Sequence, residues 1–169
     1  MVDRSVSILK FLSGSNAITT DDLDTIWAGQ ESIDEATASA VHAALRSILM
    51  YLDAAQLEHF SELIVGVPAP IVKIEIVDLL GIVAHSSNPG TESISLAALE
   101  RLWELTRDDA EVEDEVAIAC NVELTKLLTK QNHSILKTRR KHFMDKCIKN
   151  LKDHNSVPQA LDLLRSHHH

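Results

Sequence analysis

Two cysteines, six histidines outside the terminal His167–His169, and a dense run of acids are the side chains of this 169-residue sequence with chemical potential. Cys147 has His142 five residues before it and Asp153 six residues after it, the residue types of a thiol nucleophile, its base and an orienting acid. Five-residue spacing turns His142 away from Cys147 on a helix, and Cys147 itself falls on an apolar stripe. A reactive thiolate needs an exposed, electropositive setting, so a packed structural cysteine is expected. Cys120 also lies within a helical pattern, and two lone cysteines suit free thiols in a reducing compartment, the cytoplasm or nucleus, better than a disulfide. The histidines and cysteines lack the paired spacing of a zinc site. Acids from Asp108 to Glu115 offer oxygen ligands, but the glycine and spacing of a calcium loop are missing, and the first turn of a helix accounts for the charge. Nor is there a GxSxG, a P-loop or a dinucleotide fingerprint. No catalytic residue, metal ligand or cofactor is therefore expected.

One charged feature points to a partner. Lys137, Arg139, Arg140, Lys141, Lys146, Lys149 and Lys152 lie on or just beyond a single helical stretch. Residues 1–115 hold 6 Lys+Arg against 21 Asp+Glu, a balance of −15; residues 116–169 hold 10 against 4, a balance of +6, and together these give −9. An acidic whole argues against nucleic acid as the main partner. Lys137, Arg140 and Lys141 are separated by three and four residues and share one helix side. They are the candidate partner-binding residues, facing an acidic protein surface or an adjoining repeat.

The elements that position these residues read as helices throughout. Ser5 to Leu12 is a short apolar helix ended by Ser13-Gly14-Ser15-Asn16. Thr20 is expected to cap Asp21 to Ala28, and Ser32 with Glu35 forms a capping-box pattern. The next stripe is Val41, Ala44, Leu45, Ile48, Leu49 and Leu52. Asp53 then caps Ala54 to Val65, with Leu57, Phe60, Leu63 and Ile64 inward and Glu58 and Glu62 outward. Gly66-Val67-Pro68-Ala69-Pro70 is a break, after which Pro70 is placed to open a helix over Ile71 to His85, buried on more than one side. A central pair follows. Leu96, Leu99, Leu102 and Trp103 line the first member, with Glu100, Arg101 and Glu104 opposite; Val116, Cys120, Leu124 and Leu127 line the second, with Asp109 as its expected cap. Ile135 to Leu151 carries Phe143, Met144, Cys147 and Ile148 inward, and Ser156 caps a last short helix.

Leu23-Asp24-Thr25-Ile26-Trp27 matches Leu99-Glu100-Arg101-Leu102-Trp103 position by position at an offset of 76 residues. Half of that offset is close to the roughly 40-residue period of HEAT and armadillo helix pairs. The expected fold is all-α, an armadillo/HEAT-like solenoid segment of about eight helices. It is read as one domain over 1–166, with 167–169 the remnant of a histidine tag. Leu, Ile, Val and Ala must supply the core, since aromatic residues are only 4% of the chain. No apolar run is long enough for a membrane span, and no basic region followed by an apolar run opens the chain as a secretory leader would.

The succession Leu23-Asp24-Thr25-Ile26-Trp27, Val41-His42-Ala43-Ala44-Leu45, Gln56-Leu57-Glu58-His59-Phe60 and Leu102-Trp103-Glu104-Leu105, with Lys146-Cys147-Ile148 beyond, resembles the large fat-facets-type ubiquitin-specific proteases. The resemblance covers nearly the whole chain, through apolar and helix-forming positions. It implies a segment of the armadillo-like region outside the protease domain, serving as a scaffold that positions ubiquitinated substrates or regulators. The cysteine and histidine boxes that cleave ubiquitin in that family match no residue here, so the resemblance implies no catalytic residue. The rival reading is a free-standing HEAT/armadillo-like adaptor with no protease attached.

Overall fold

Short polar side chains start these helices by accepting the backbone amides that a first turn leaves without partners. The computed structural model describes residues 18–31, 34–86, 88–129 and 134–154 together with 158, 160, 161 and 165; the side chains of Glu31 and of 134–139 lie outside that description. The described residues form seven α-helices and no strand: α1 (Thr20–Ala28), α2 (Glu35–Ile48), α3 (Ala54–Val65), α4 (Ile74–Ala84), α5 (Glu92–Leu105), α6 (Asp114–Thr129) and α7 (Ser134–Lys152). This is the all-α helical-repeat architecture that the sequence predicts. The expected helix over Ser5 to Leu12 and the Ser156 cap lie outside the described residues. By its internal contacts the chain divides into two compact units, Met1–Ile64 and Val65–His169.

In the first unit Thr19, not Thr20, caps α1, and the box is reciprocal: Thr19 Oγ1 accepts from the Asp22 amide while Asp22 Oδ2 accepts from the Thr19 amide. Asp34 caps α2 through the Ala36 and Thr37 amides. Glu35 is therefore the first helical residue, and Ser32, expected to form a box with it, lies outside the described residues. Asp53 caps α3 as expected, in a second reciprocal box with Gln56. Gln56 is buried, and its amide nitrogen donates to the Ile18 carbonyl at 2.5 Å, anchoring the residues just before α1 to α3. Leu23, Leu45, Ile48, Leu57, Phe60 and Ile64 fill the core. Leu63 is only half-buried, its expected place on the inner face shared by Gln56 and Ser61.

The second unit is built on α4, α5 and α6, each packed against the other two. Pro70 opens a 3-10 turn, Ala69–Ile71, rather than the helix. The chain then runs extended through Val72 and Lys73, and α4 starts at Ile74. Ile76, Val77, Leu79, Leu80, Gly81, Val83 and Ala84 are buried, so α4 meets neighbours on more than one side. At Gly81 the Glu123 side chain of α6 comes close: a Cβ there would lie 2.8 Å from its carboxylate. Ser95, fully buried on α5, donates its hydroxyl to the Ala84 carbonyl at the end of α4. The α6 stripe Val116, Cys120, Leu124 and Leu127 is buried as a block. Asp109 does not cap α6, which begins at Asp114; instead it pairs with Arg107 at 2.9 Å. Arg101 is not simply outward. It reaches back to donate to the Val67 carbonyl at 2.7 Å while pairing with Glu104, and so fastens the Pro-rich break to α5.

Candidate protein-interaction surface

The two matched pentapeptides end their helices in the same surroundings. In the first unit Leu23 is buried, the Trp27 ring meets Phe60 edge-on with centroids 5.6 Å apart, and His59 Nε2 lies 2.7 Å from Asp24 Oδ1. In the second, Leu99 is buried, Trp103 packs on Phe143 at 5.7 Å, and His142 Nε2 lies 2.6 Å from Glu100 Oε1. An acid–histidine contact beside a tryptophan–phenylalanine contact is thus built twice. The acids and tryptophans are offset by 76 residues and the His-Phe dipeptides by 83. The recurring His-Phe pair was the sequence signal for it. Each partner lies far along the chain from its acid, 35 residues in one case and 42 in the other, so neither contact follows from local spacing.

The second of these clasps decides which cations of α7 remain for a partner. Lys146 Nζ bonds Glu100 Oε2 and also sits over the Phe143 ring, 5.4 Å from its centroid. Burial works against the Glu100 charge, but the hydrogen bonds and charges of Lys146 and His142 outweigh it and hold the carboxyl below its ordinary value of 4.5. Lys146 and His142 are therefore committed to α5. Of the three expected binding residues, Lys141 is exposed, Arg140 is half-buried and has its own contacts, and the Lys137 side chain lies outside the description. Lys149 and Lys152 are exposed nearer the helix end. Phe143 and Cys147 point inward as predicted, whereas Ile148, predicted inward, is 43% exposed.

Both cysteines hold their protons. Desolvation pushes the Cys120 thiol up to about 12, with Glu123 adding to the effect and Arg101 opposing it; burial pushes Cys147 up to about 11. Both are free and buried. Among the described residues, no group of His, Cys, Asp and Glu is arranged to hold a metal, and no helix is long and apolar enough to cross a membrane.

Short-linked helices with no strand among the described residues, each burying an apolar side within its unit, make a helical-repeat segment, a class that generally mediates protein–protein interaction. The family profile described as the UBP24/USP9X/USP9Y ARM repeat matches residues 1–168, and the chain belongs to that family. It is similar to the probable ubiquitin carboxyl-terminal hydrolase FAF of Drosophila melanogaster, with 26% identity over 168 residues. That span is 97% of this chain and 6% of the relative. The resemblance to fat-facets-type proteases is thereby borne out. The match falls on an armadillo-repeat region and not on a catalytic domain, so this segment is non-catalytic.

Proposed function

We propose that this chain is an interaction scaffold within a large ubiquitin-specific protease, holding substrates or regulators by protein–protein contact while a domain elsewhere performs the cleavage. The observation that carries the reading is the family match over residues 1–168, on a stretch amounting to 6% of a ubiquitin hydrolase. The two buried thiols suit a reducing compartment, the cytoplasm or nucleus. The contact surface is the side of α7 that carries the exposed Lys141, the side to which three- and four-residue spacing also assigns Arg140 and Lys137, facing an acidic protein surface in the partner or in an adjoining repeat. Positive charge there acts mainly on encounter, because rim charges steer association more than they hold the complex.

The test is to measure, at two ionic strengths, the binding of individual partners of the full-length protein to wild type and to Arg140→Glu/Lys141→Glu. Slower association of the variant, with a shallower salt dependence and an unchanged helical circular dichroism spectrum, is the expected result. Equal rates and equal salt slopes would leave α7 as a solvated face and remove it from the proposal.

A further inference from the structure

A groove of about 450 Å³ lies in the second unit, between the approach to α4 and the start of α6, and none of the α7 cations lines it. Val72 and Val116, both buried, form part of its lining, and Ile71 and Ile74, 62% and 49% exposed, stand at its side. Large aliphatic side chains so open to water are unfavourable unless something covers them, at roughly 25 cal/mol per Å² of apolar surface. Pro70, Lys73, Glu75, Glu113 and Glu115 complete the lining. All four charged residues are exposed, and none of the three acids has an ion-pair partner among the described residues.

The sign of the local field follows from the groups present. Three carboxylates oppose one ammonium and two helix N-termini, each N-terminus carrying roughly half a positive charge. The lining stays net negative by about one charge, and the exposed Glu111 and Asp114 alongside deepen that. Along α6 the apolar character continues: Ile118 and Val122, 64% and 46% exposed, follow Glu115 at three and seven residues and share its side of the helix. The volume lies within the roughly 300–1,000 Å³ of small binding sites and holds a few side chains. A stable dimer covers roughly 800 Å² on each partner, so the footprint fits a short segment better than a second folded copy.

We propose that this groove docks a short segment of a partner protein in which lysine or arginine flanks apolar residues. The apolar side chains cover Ile71, Ile74 and the two valines, and the cations meet Glu75 on one wall and Glu113 and Glu115 on the other. An acidic segment or a nucleic acid is repelled by the same carboxylates.

The experiment titrates the 169-residue chain into a fluorescein-labelled short peptide alternating lysine with leucine, and into its glutamate–leucine counterpart, reading fluorescence anisotropy. Binding of the lysine peptide alone is expected, weakened at least about tenfold by Glu113→Lys/Glu115→Lys and also weakened by Ile74→Ser, with helical circular dichroism unchanged. A control reversal on α3, Glu58→Lys/Glu62→Lys, should stay within about twofold of wild type. Equal weakening by the two reversals would reveal diffuse attraction to an acidic protein and overturn the proposal, as would preference for the glutamate peptide or no binding of either. Sedimentation that shows self-association abolished by Glu113→Lys/Glu115→Lys would also overturn it, by giving the groove to a second copy.

Discussion

A thiol becomes a nucleophile by losing its proton, and burial keeps the proton on both cysteines of this chain. With Cys120 pushed up to about 12 and Cys147 to about 11, thiolate at neutral pH is negligible in the folded state. Ellman's reagent should detect no thiol in the native protein and two per chain in denaturant; rapid native labelling abolished by Cys147→Ser would overturn the assignment. Glu100 is the opposite kind of residue, a carboxylate that is needed charged. Its folded-state value is depressed, so its stabilising contribution is full above the ordinary 4.5 and is lost as pH falls through the lower folded value. Glu100→Gln should cost on the order of 1 kcal/mol at pH 7, between an exposed ion pair and a charged hydrogen bond in partial burial. Thermal melts from pH 5 down to pH 3, the range in which Glu100 itself takes up its proton, check the sign: the difference between wild type and variant should shrink on acidification. A difference that grew toward low pH would mean the clasp does not favour ionised Glu100.

At the scale of the element, the two tryptophans occupy matched sequence positions but unequal burial, and that inequality should appear in stability. Trp103 is 4% exposed against Phe143, whereas Trp27 is half-buried against Phe60. Trp103→Ala should cost about 3–5 kcal/mol as a core truncation, and Trp27→Ala distinctly less; urea unfolding of the two variants makes the comparison. Equal losses would mean that the aromatic contact, rather than burial, sets the energy. The stripes of α2, α5 and α6 were legible in the sequence because burial of one helix side imposes a 3.6-residue period on composition. Helix starts were less so. Thr19 and Thr20 are equivalent as cap chemistry, and only the position of Asp22 three residues on selects Thr19. Pro70 suits a 3-10 turn as well as a first α-helical turn, and Val72 and Lys73, extended in the structure, carry no signal that postpones α4 to Ile74. The Glu100–His142–Lys146 clasp was hidden for a different reason. It joins residues 42 and 46 positions apart, and such pairing depends on how helices stack rather than on either helix alone. Lys146, counted with the docking cations from sequence, is for that reason spent within the fold.

On the scale of the whole molecule, a repeat protein has no single core; its stability is approximately a sum of local terms and nearest-neighbour terms. The two compact units each contain one tryptophan, Trp27 in Met1–Ile64 and Trp103 in Val65–His169, so each unit has its own fluorescent reporter. Unit two contains the mutually packed α4, α5 and α6, and of the twelve largest fully buried side chains among the described residues seven lie in unit two and five in unit one. In unit one, α1 is a nine-residue helix with only Leu23 buried, a weak anchor for its tryptophan. Local opening free energies follow such differences in buried apolar contact. Trp103→Phe leaves Trp27 to report unit one, and Trp27→Phe leaves Trp103 to report unit two; the conservative replacement keeps an aromatic ring against Phe143 or Phe60. In urea the Trp27 signal should change at a lower midpoint than the Trp103 signal, while helical circular dichroism spans both transitions. Coincident midpoints, with circular dichroism superimposed on them, would show instead that the chain unfolds as one cooperative block. The order of the two midpoints also tests the burial argument, since it assigns the more persistent core to the mutually packed α4, α5 and α6.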